Sequence, residues 1–489
     1  MAQKKMFKQI VKQAEIPTKN IGVTKIQLDI SGEYEFHLET ICKYSNNVHN
    51  RAVFVQRQNF FFGEGYLGKF DLINAVTKAD SEWYSYSCKY LYSQAAQQSV
   101  ITVFEAFSTY KEGLRLHKVG ELSEQPKLPG YRKRGGLQKV TYPAQNLTYS
   151  EGYIKIPLGV GYSQEYEIDA LYLPFPSHID KNKIKEVSIL PQNGKFFLEI
   201  SVGKELVPSL PDYSKVYCID PGLNNALSVM SNFGDSFIVD GRQAKSINQL
   251  YNKKISEYKT GKDGDFWDEY CDYLTLKRNN TIRDWYNKAA KLFIERCLAN
   301  NVGIVGFGWN SGFKDAIKLG RKSNQSFTQL PLAKLRDAIK NLCILNNILF
   351  YEIDESYSSK SSFLDGDLLP LYGAKPISYK FSGRRIRRGL YKSQFGICVN
   401  ADIHGAVNLI RRLSQYVNID LSGITIQSLR SATRLFVWKK KDDKNARSTN
   451  RNVDINCVKG QYCNLSDHLK NKHLSKRSEL IKSKLKNAN

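Results

Sequence analysis

No apolar run in this sequence approaches the ~20 residues that cross a bilayer, which excludes the ordinary membrane-helix classes. The basic start Met-Ala-Gln-Lys-Lys is not followed by the apolar core of a secretory signal, so an intracellular, cytoplasmic protein is expected. A disulfide framework is missing too. The nine cysteines, Cys42, Cys88, Cys218, Cys271, Cys297, Cys343, Cys398, Cys457 and Cys463, are odd in number and widely scattered, as suits reduced thiols serving mostly as small core residues. Acids are scarce: 47 Asp and Glu face 72 Lys and Arg, giving a formal charge of +25 spread from end to end. Such a surplus calls for a large polyanion as partner and for binding that weakens steeply with salt. Charge alone leaves open a ribosomal or chromatin-type basic protein without chemistry.

What is present is enough for several cores. At 489 residues and 42% hydrophobic content, two to four domains are expected, and the mean hydropathy of -0.44 describes a soluble globular chain. Residues from Val23 to Leu38 alternate like strands, whereas Ile41 to Glu112 lacks Pro and carries helical spacing, with Tyr and Phe interleaved among Lys, Arg, Gln and Asn. Rings and guanidinium planes of that kind stack on bases, although most of these aromatics are expected in the core. Pro126 to Lys139 reads as a basic loop punctuated by Pro and Gly, and strands return at Gly152 to Pro157 and Val187 to Val202. Periodicity fails around Leu206 to Pro211, and a new domain begins at Val216. Its order is strand, strand, a charged helical stretch over Gln243 to Asn301, the strand V-G-I-V-G-F-G, a helix over Leu332 to Asn346 and the strand I-L-F-Y-E-I-D. That grammar predicts an RNase H-like α/β sheet. The last 51 residues hold 14 Lys or Arg against five acids and are expected to order on nucleic acid.

Three carboxylates stand at informative places. Asp220 ends the apolar strand Val216 to Asp220 and opens D-P-G, which is also an ordinary turn. Glu355 follows the strand ending at Ile353 and opens E-S-Y-S-S-K. Asp402 lies at the start of the helix in N-A-D-I-H-G-A-V-N-L-I, where it is also a good cap and where small residues allow close packing on the sheet. Phosphodiester hydrolysis needs such a set, because two magnesium ions about 4 Å apart activate water and stabilise the departing oxygen.

Taken together and in order, Y-C-I-D-P-G-L-N-N, K-R-N-N-T-I-R-D-W, N-Q-S-F-T-Q-L-P, D-E-S-Y-S-S-K-S-S-F-L-D-G-D, G-R-R-I-R-R-G-L-Y and N-A-D-I-H-G-A-V-N resemble the TnpB nucleases of insertion sequences and their relatives, the compact type V CRISPR effectors. The resemblance covers most of the chain and takes in S-Q-A-A-Q-Q and Q-P-K-L-P-G-Y of the N-terminal half. It implies a RuvC-like nuclease with Asp220 as first and Asp402 as third catalytic and metal-binding acid, and RNA-guided cleavage of DNA beside a short motif. Two departures follow. Many relatives place a Glu at the end of the strand I-V-G-F-G, where this chain has Gly306 and Gly308, so the role passes to Glu355, as in a branch sharing E-S-Y-x-S-K. Under strand alternation Asp354 and Glu352 point to the other face and are the weaker candidates. Many relatives also insert a zinc ribbon before the third acid, yet Cys398 is the single cysteine between Glu355 and Asp402, so no structural zinc is expected there. Cys457, Cys463, His468 and His473 match no common finger spacing. His404, two residues past Asp402, reads as a helix-surface histidine with a local hydrogen bond rather than a phosphate contact.

The expected organisation is a wedge-type β barrel over residues 1–40 and 123–210, interrupted by a helical recognition domain over 41–122. The RuvC-like nuclease then spans 211–355 and 398–438, with a target-binding insertion without zinc ribbon over 356–397 and a basic tail over 439–489. Mg2+, as two ions with Mn2+ as an alternative, is the expected cofactor, and guide RNA and target DNA are the expected partners of a bacterial or phage protein. Arg57, Tyr131, Arg132, Lys133, Arg134, Lys360, Arg384, Arg385, Arg387 and Arg388 are the candidate nucleic-acid contacts. The alternatives are a guided DNA-binding protein with a dead nuclease and a basic RNA-binding protein without catalysis.

Overall fold

A computed structural model describes residues 11–14, 21–30, 32–63, 65–78, 87–122, 124–150, 152–207, 209–309 and 330–438. Those up to Val437 belong to one compact unit, and the expected tail with its Cys and His residues lies outside the described residues, as does most of N-Q-S-F-T-Q-L-P.

In the N-terminal half, β1 (Val11–Gln13) and β2 (Ile21–Gln27) precede three helices, α1 (Glu33–Phe61), α2 (Lys69–Thr77) and α3 (Ser93–Lys118). The predicted strand pattern up to Leu38 is therefore overturned beyond Gln27. Gly32 at φ 64° turns the chain, Glu33 and Glu35 occupy the first helical turn, and His37, Leu38, Ile41 and Cys42 supply a buried helical stripe. Alternation over five residues was too short to outweigh a 29-residue helix anchored by packing. Next come β3 (Val140–Pro143), β4 (Thr148–Ser150), β5 (Tyr153–Pro157), α4 (Val160–Tyr166), β6 (Ala170–Pro174), β7 (Ile184–Gln192) and β8 (Lys195–Gly203). They form two antiparallel sheets, ordered β2-β8-β7-β3 and β4-β5-β6, rather than one continuous ladder. Helices and sheets share one core, in which Ile41, Ala52 and Val100 meet Val140, Ile154 and Leu198.

The second half begins with β9 (Asp212–Pro221), β10 (Asn225–Ser231) and β11 (Ser236–Asp240), followed by α5 (Arg242–Lys259), α6 (Glu269–Ala299), β12 (Val302–Gly308), α7 (Leu332–Leu345) and β13 (Leu349–Ile353). After an irregular stretch come β14 (Arg384–Arg387), β15 (Leu390–Lys392), β16 (Cys398–Asn400), α8 (Ala401–Leu413), α9 (Ile426–Arg430) and β17 (Thr433–Leu435). Seven strands make one mixed sheet, β1-β13-β12-β9-β10-β11-β17. Sequence reading missed β11, β17 and the return of β1, which pairs antiparallel with β13. Strand β9 is parallel to β12 and β12 to β13, so their carboxyl ends lie side by side.

Alternation assigns the two faces of this sheet. Val216 and Cys218 of β9, Ile304 of β12 and Ile353 of β13 pack with Ile403, Ala406, Leu409 and Leu413 of α8. The opposite parity meets α6, where Tyr217 and Phe237 stand 6.2 Å from Phe293 between ring centroids. Burying side chains of this size contributes roughly 1.5–3 kcal/mol each. Asp220 shares the parity of Val216 and Cys218, so it faces α8.

Candidate active site

Asp220 is the acid that links the other two electrostatically, since the charge of Asp402 acts on it and its own charge acts on Glu355. It lies at the end of β9, opposite Ser228 of β10, and its carboxylate is pressed against α8. A side chain at Gly405 would overlap Asp220 Oδ2 and stand 3.1 Å from its Cγ, so glycine is what lets the helix approach. Burial raises the Asp220 carboxyl above the ordinary carboxylate range; the neighbouring charge of Asp402 adds to this and Arg385 opposes it.

Glu355 reaches the same place from the next strand but one. β13 ends at Ile353, whose carbonyl accepts the Trp309 N–H at 2.8 Å, and the chain then turns. A Cβ at Gly308 would sit 2.7 Å from Glu355 Oε1 and 2.9 Å from its Cγ. The glycine at the end of β12, where relatives of the resembled family carry their acid, thus holds open the volume that Glu355 fills. Burial also raises Glu355, with the charge of Asp220 second and that of Asp354 third.

Asp402 is in the first turn of α8, but it is not the cap. Asn400 takes that role, its side chain accepting the N–H groups of Asp402 at 3.0 Å and Ile403 at 3.2 Å. The Asp402 carboxylate is thereby released for other partners. Arg385 donates to its Oδ1 at 2.5 Å and Asn225 to its Oδ2 at 2.6 Å. Arg434 in turn bridges Asn225 and Asp240. Asn225, the last residue of Y-C-I-D-P-G-L-N-N, was not singled out in the sequence; its place beside Asp402 is a product of the sheet order.

Two further expectations change. Asp354 does not point away from α8: the strand has already ended, and its carboxylate accepts from Arg412 of α8 at 2.6 Å. Glu352, still within β13, does face elsewhere, toward Arg336 of α7 at 3.6 Å. His404 is not a surface residue but wholly buried, stacked on Tyr391 at 3.9 Å, with its Nε2 accepting the Phe363 N–H.

Among the candidate nucleic-acid contacts, Arg384, Arg385, Arg387 and Arg388 lie exposed on and just after β14, and Arg385 alone turns to Asp402. Lys360 is exposed. The loop carrying Tyr131, Arg132, Lys133 and Arg134 is fastened to α1. Asn50 exchanges two hydrogen bonds with the Arg132 main chain, Asn46 donates to the Lys133 carbonyl, and Arg57 donates to the Pro129 carbonyl beside the Tyr131 ring. The insertion is tied by carboxylates: Asp367 accepts from Ser362, Ser382 and Tyr379, and Asp365 from Ser382 and Gln394.

Among the described residues, no three or more His, Cys, Asp or Glu side chains stand as a ready metal cluster. Asp402 is turned to a guanidinium instead. The donor chemistry nevertheless fits a hard divalent cation: all oxygen, carboxylate-rich, and with Asp220 and Glu355 each raised by burial first and by a neighbouring acid's charge second.

No family model matches the chain, and no match is found among curated proteins. Among solved structures, the chain is similar to a Cas12f1–sgRNA–target DNA complex determined by cryo-EM, with a TM-score of 0.51, 13% identity, and coverage of 77% of this chain and 82% of that one. A CRISPR-Cas12f ternary complex aligns over 77% and 81% at 13% identity with a TM-score of 0.30. A Cas12i1 R-loop complex after target DNA cleavage aligns over 73% and 58% at 9% identity, also with a TM-score of 0.30. At 13% identity the first of these likenesses is one of fold: a mixed α/β architecture shared with a Cas12f1 chain over most of both lengths.

Proposed function

We propose that the chain is an RNA-guided DNA endonuclease with an RNase H-like, RuvC-type site in which Asp220, Glu355 and Asp402 hold divalent metal. The observation that carries this reading is Glu355 packed into the space over Gly308, at the carboxyl end of β12, the strand that lies between β13 and the β9 that carries Asp220. On this reading Glu355 stands in for the acid that β12 lacks, and its packing against Gly308 favours a live nuclease over a dead guided binder. The fold shared with a Cas12f1 chain, whose structure holds guide RNA and target DNA, supports guide RNA and target DNA as partners here.

When bound, Mg2+ supplies water activation and stabilisation of the departing oxygen. The chain's own residues set the conditions for it. Asp220 and Glu355, whose carboxyls burial raises, would give up their protons on holding the metal; Asn225 orients Asp402; and Arg385 must yield Asp402 before that acid becomes a ligand. The arginines of β14 and the fastened loop of Arg132, Lys133 and Arg134 bind nucleic-acid backbone, while base pairing to the guide reads sequence. Whether the guide derives from a transposon or from a CRISPR array is encoded outside this chain.

The test is to copurify the protein with its RNA and incubate it with Mg2+ and plasmids carrying a guide-matched target beside randomised flanks, with Glu355→Ala in parallel. Linear products from wild type alone, sharing a flanking motif, support the proposal. Copurified RNA with no cutting by either protein sinks the nuclease and leaves a guided binder.

A further inference from the structure

The face that α8 turns toward the segment after Glu355 is polar, although it is buried. His404, Asn408 and Arg412 recur at intervals of four, so they form one stripe along the helix, and they are 0%, 0% and 2% exposed. A buried stripe of this composition costs stability unless every group is satisfied. Its hydrogen-bond partners are main-chain atoms of residues 354–370 together with the Asp354 carboxylate. Arg412 Nη1 donates to Asp354 O at 2.6 Å and to Asp354 Oδ1 at 2.6 Å, and Nη2 donates to Ser356 O at 2.8 Å and Pro370 O at 3.0 Å. Asn408 Nδ2 donates to Ser358 O at 2.8 Å and Ser361 O at 2.7 Å. His404 Nε2 accepts the Phe363 N–H at 3.1 Å, which places the imidazole proton on Nδ1. That Nδ1 and Asn408 Oδ1 are buried without a hydrogen-bond partner, so the stripe's stability rests on the bonds to the segment.

This segment needs such a template. Between the end of β13 and the start of β14 it forms turns without helix or strand, so its carbonyls cannot be satisfied by a regular ladder. Tyr357 adopts φ 59°, a conformation that costs a bulky side chain on the order of 1–3 kcal/mol and persists only where the surroundings impose it. Glu355 lies between the two carbonyls, of Asp354 and Ser356, that the Arg412 guanidinium seizes.

We propose that Arg412 is the positioning residue of Glu355, with Asn408 and His404 extending the same clamp along the segment. A guanidinium gripping the main chain on both sides of one residue limits the directions its side chain can take. Because Asp402 and Gly405 are on the same helix, one rigid element then sets the relation of all three acids. An ion pair with Asp354 alone would not require the further bonds to Ser356 and Pro370. The inference rests on the metal-binding reading of the acids, so its test separates the two.

The full chain with its copurified RNA is compared as wild type, Glu355→Gln, Arg412→Lys and Arg412→Met. Mn2+ binding is followed by the resonance of the free ion, hydrogen exchange is followed over 354–363, and RNA binding serves as the control for folding. The expected result is Mn2+ binding weakened about 10–100-fold in Arg412→Met, the range typical when a partner orienting a metal ligand is lost, and less so in Arg412→Lys. Exchange over 354–363 rises in step, while β9, β12 and RNA binding are unchanged. If Arg412→Met does not fold, Arg412→Lys carries the comparison, because one ammonium cannot span four acceptors. Unchanged exchange in the Arg412 variants overturns the clamp. Faster exchange with wild-type Mn2+ affinity overturns the positioning role, leaving Arg412 merely structural. Wild type that binds Mn2+ no better than Glu355→Gln overturns the acid-site reading itself, and the positioning role with it.

Discussion

Gly308 and Glu355 are closely coupled, because a Cβ on the glycine would meet Glu355 Oε1 at 2.7 Å, as well as Leu409 Cδ1 at 2.8 Å. Gly308→Ala should therefore act on the carboxylate, not only on packing. A methyl group 2.7 Å from Oε1 and 2.8 Å from Leu409 Cδ1 forces both Glu355 and Leu409 to move, which typically costs about 1–3 kcal/mol in a filled interior, and cleavage should fall at least tenfold while guide binding persists. Wild-type cleavage by Gly308→Ala would count against Glu355. The same residues give a pH prediction with a definite sign. Asp220 and Glu355 are raised above ordinary carboxyl values, so between those values and their raised ones the folded state binds more protons than the unfolded. The contribution of the pair to metal-free stability consequently falls as pH rises through that window. Glu355→Gln should flatten the decline in melting temperature between about pH 5 and pH 8, and Mg2+ should flatten it in wild type. Parallel curves would show that Glu355 is not raised. Cleavage should rise over the same window, because the metal takes the deprotonated acids.

At the scale of elements, α8 is the organiser. Its capping by Asn400, rather than by the acid two residues later, is what leaves Asp402 for Arg385 and Asn225. Asn400→Ala should cost about 0.5–2 kcal/mol in denaturant unfolding, as loss of a cap does, and should lower cleavage beyond what that loss explains. Asn400→Asp, which keeps an accepting oxygen, should restore the stability. Helix, small residues and acid are all legible in the sequence, yet cap and ligand are not separable there, since Asn and Asp both serve at helix starts. Nor does alternation reveal Asp354 as the partner of Arg412: parity applies only while the strand lasts, and β13 ends one residue earlier.

At the scale of the molecule, the charge of +25 governs any encounter with nucleic acid. Binding should weaken linearly in log–log salt plots. Replacing Arg132, Lys133 and Arg134 by Gln should reduce the slope by up to about 3, one for each phosphate contact removed. An unchanged slope would place the polyanion elsewhere. The fastening of that loop by Asn46, Asn50 and Arg57 means that its cations are presented in a set arrangement, with less ordering left to occur on binding.

By itself the sequence determined the charge, the buried free cysteines, most of the strands and helices between Val216 and Ile353 though not β11, and the identity of the three acids as candidates. Each of these is local, carried by composition, by period or by residues adjacent in the chain. The cysteines Cys42, Cys218, Cys271, Cys297 and Cys343 are buried and unpaired, as expected of small core residues. Only the tertiary structure decided which side chains meet. Asn225 and Asp402 are 177 positions apart and Arg412 and Ser356 are 56 apart, and no pattern within either segment specifies its partner. Strand register and the packing of α8 on one face of the sheet bring them together, and those are properties of the whole core.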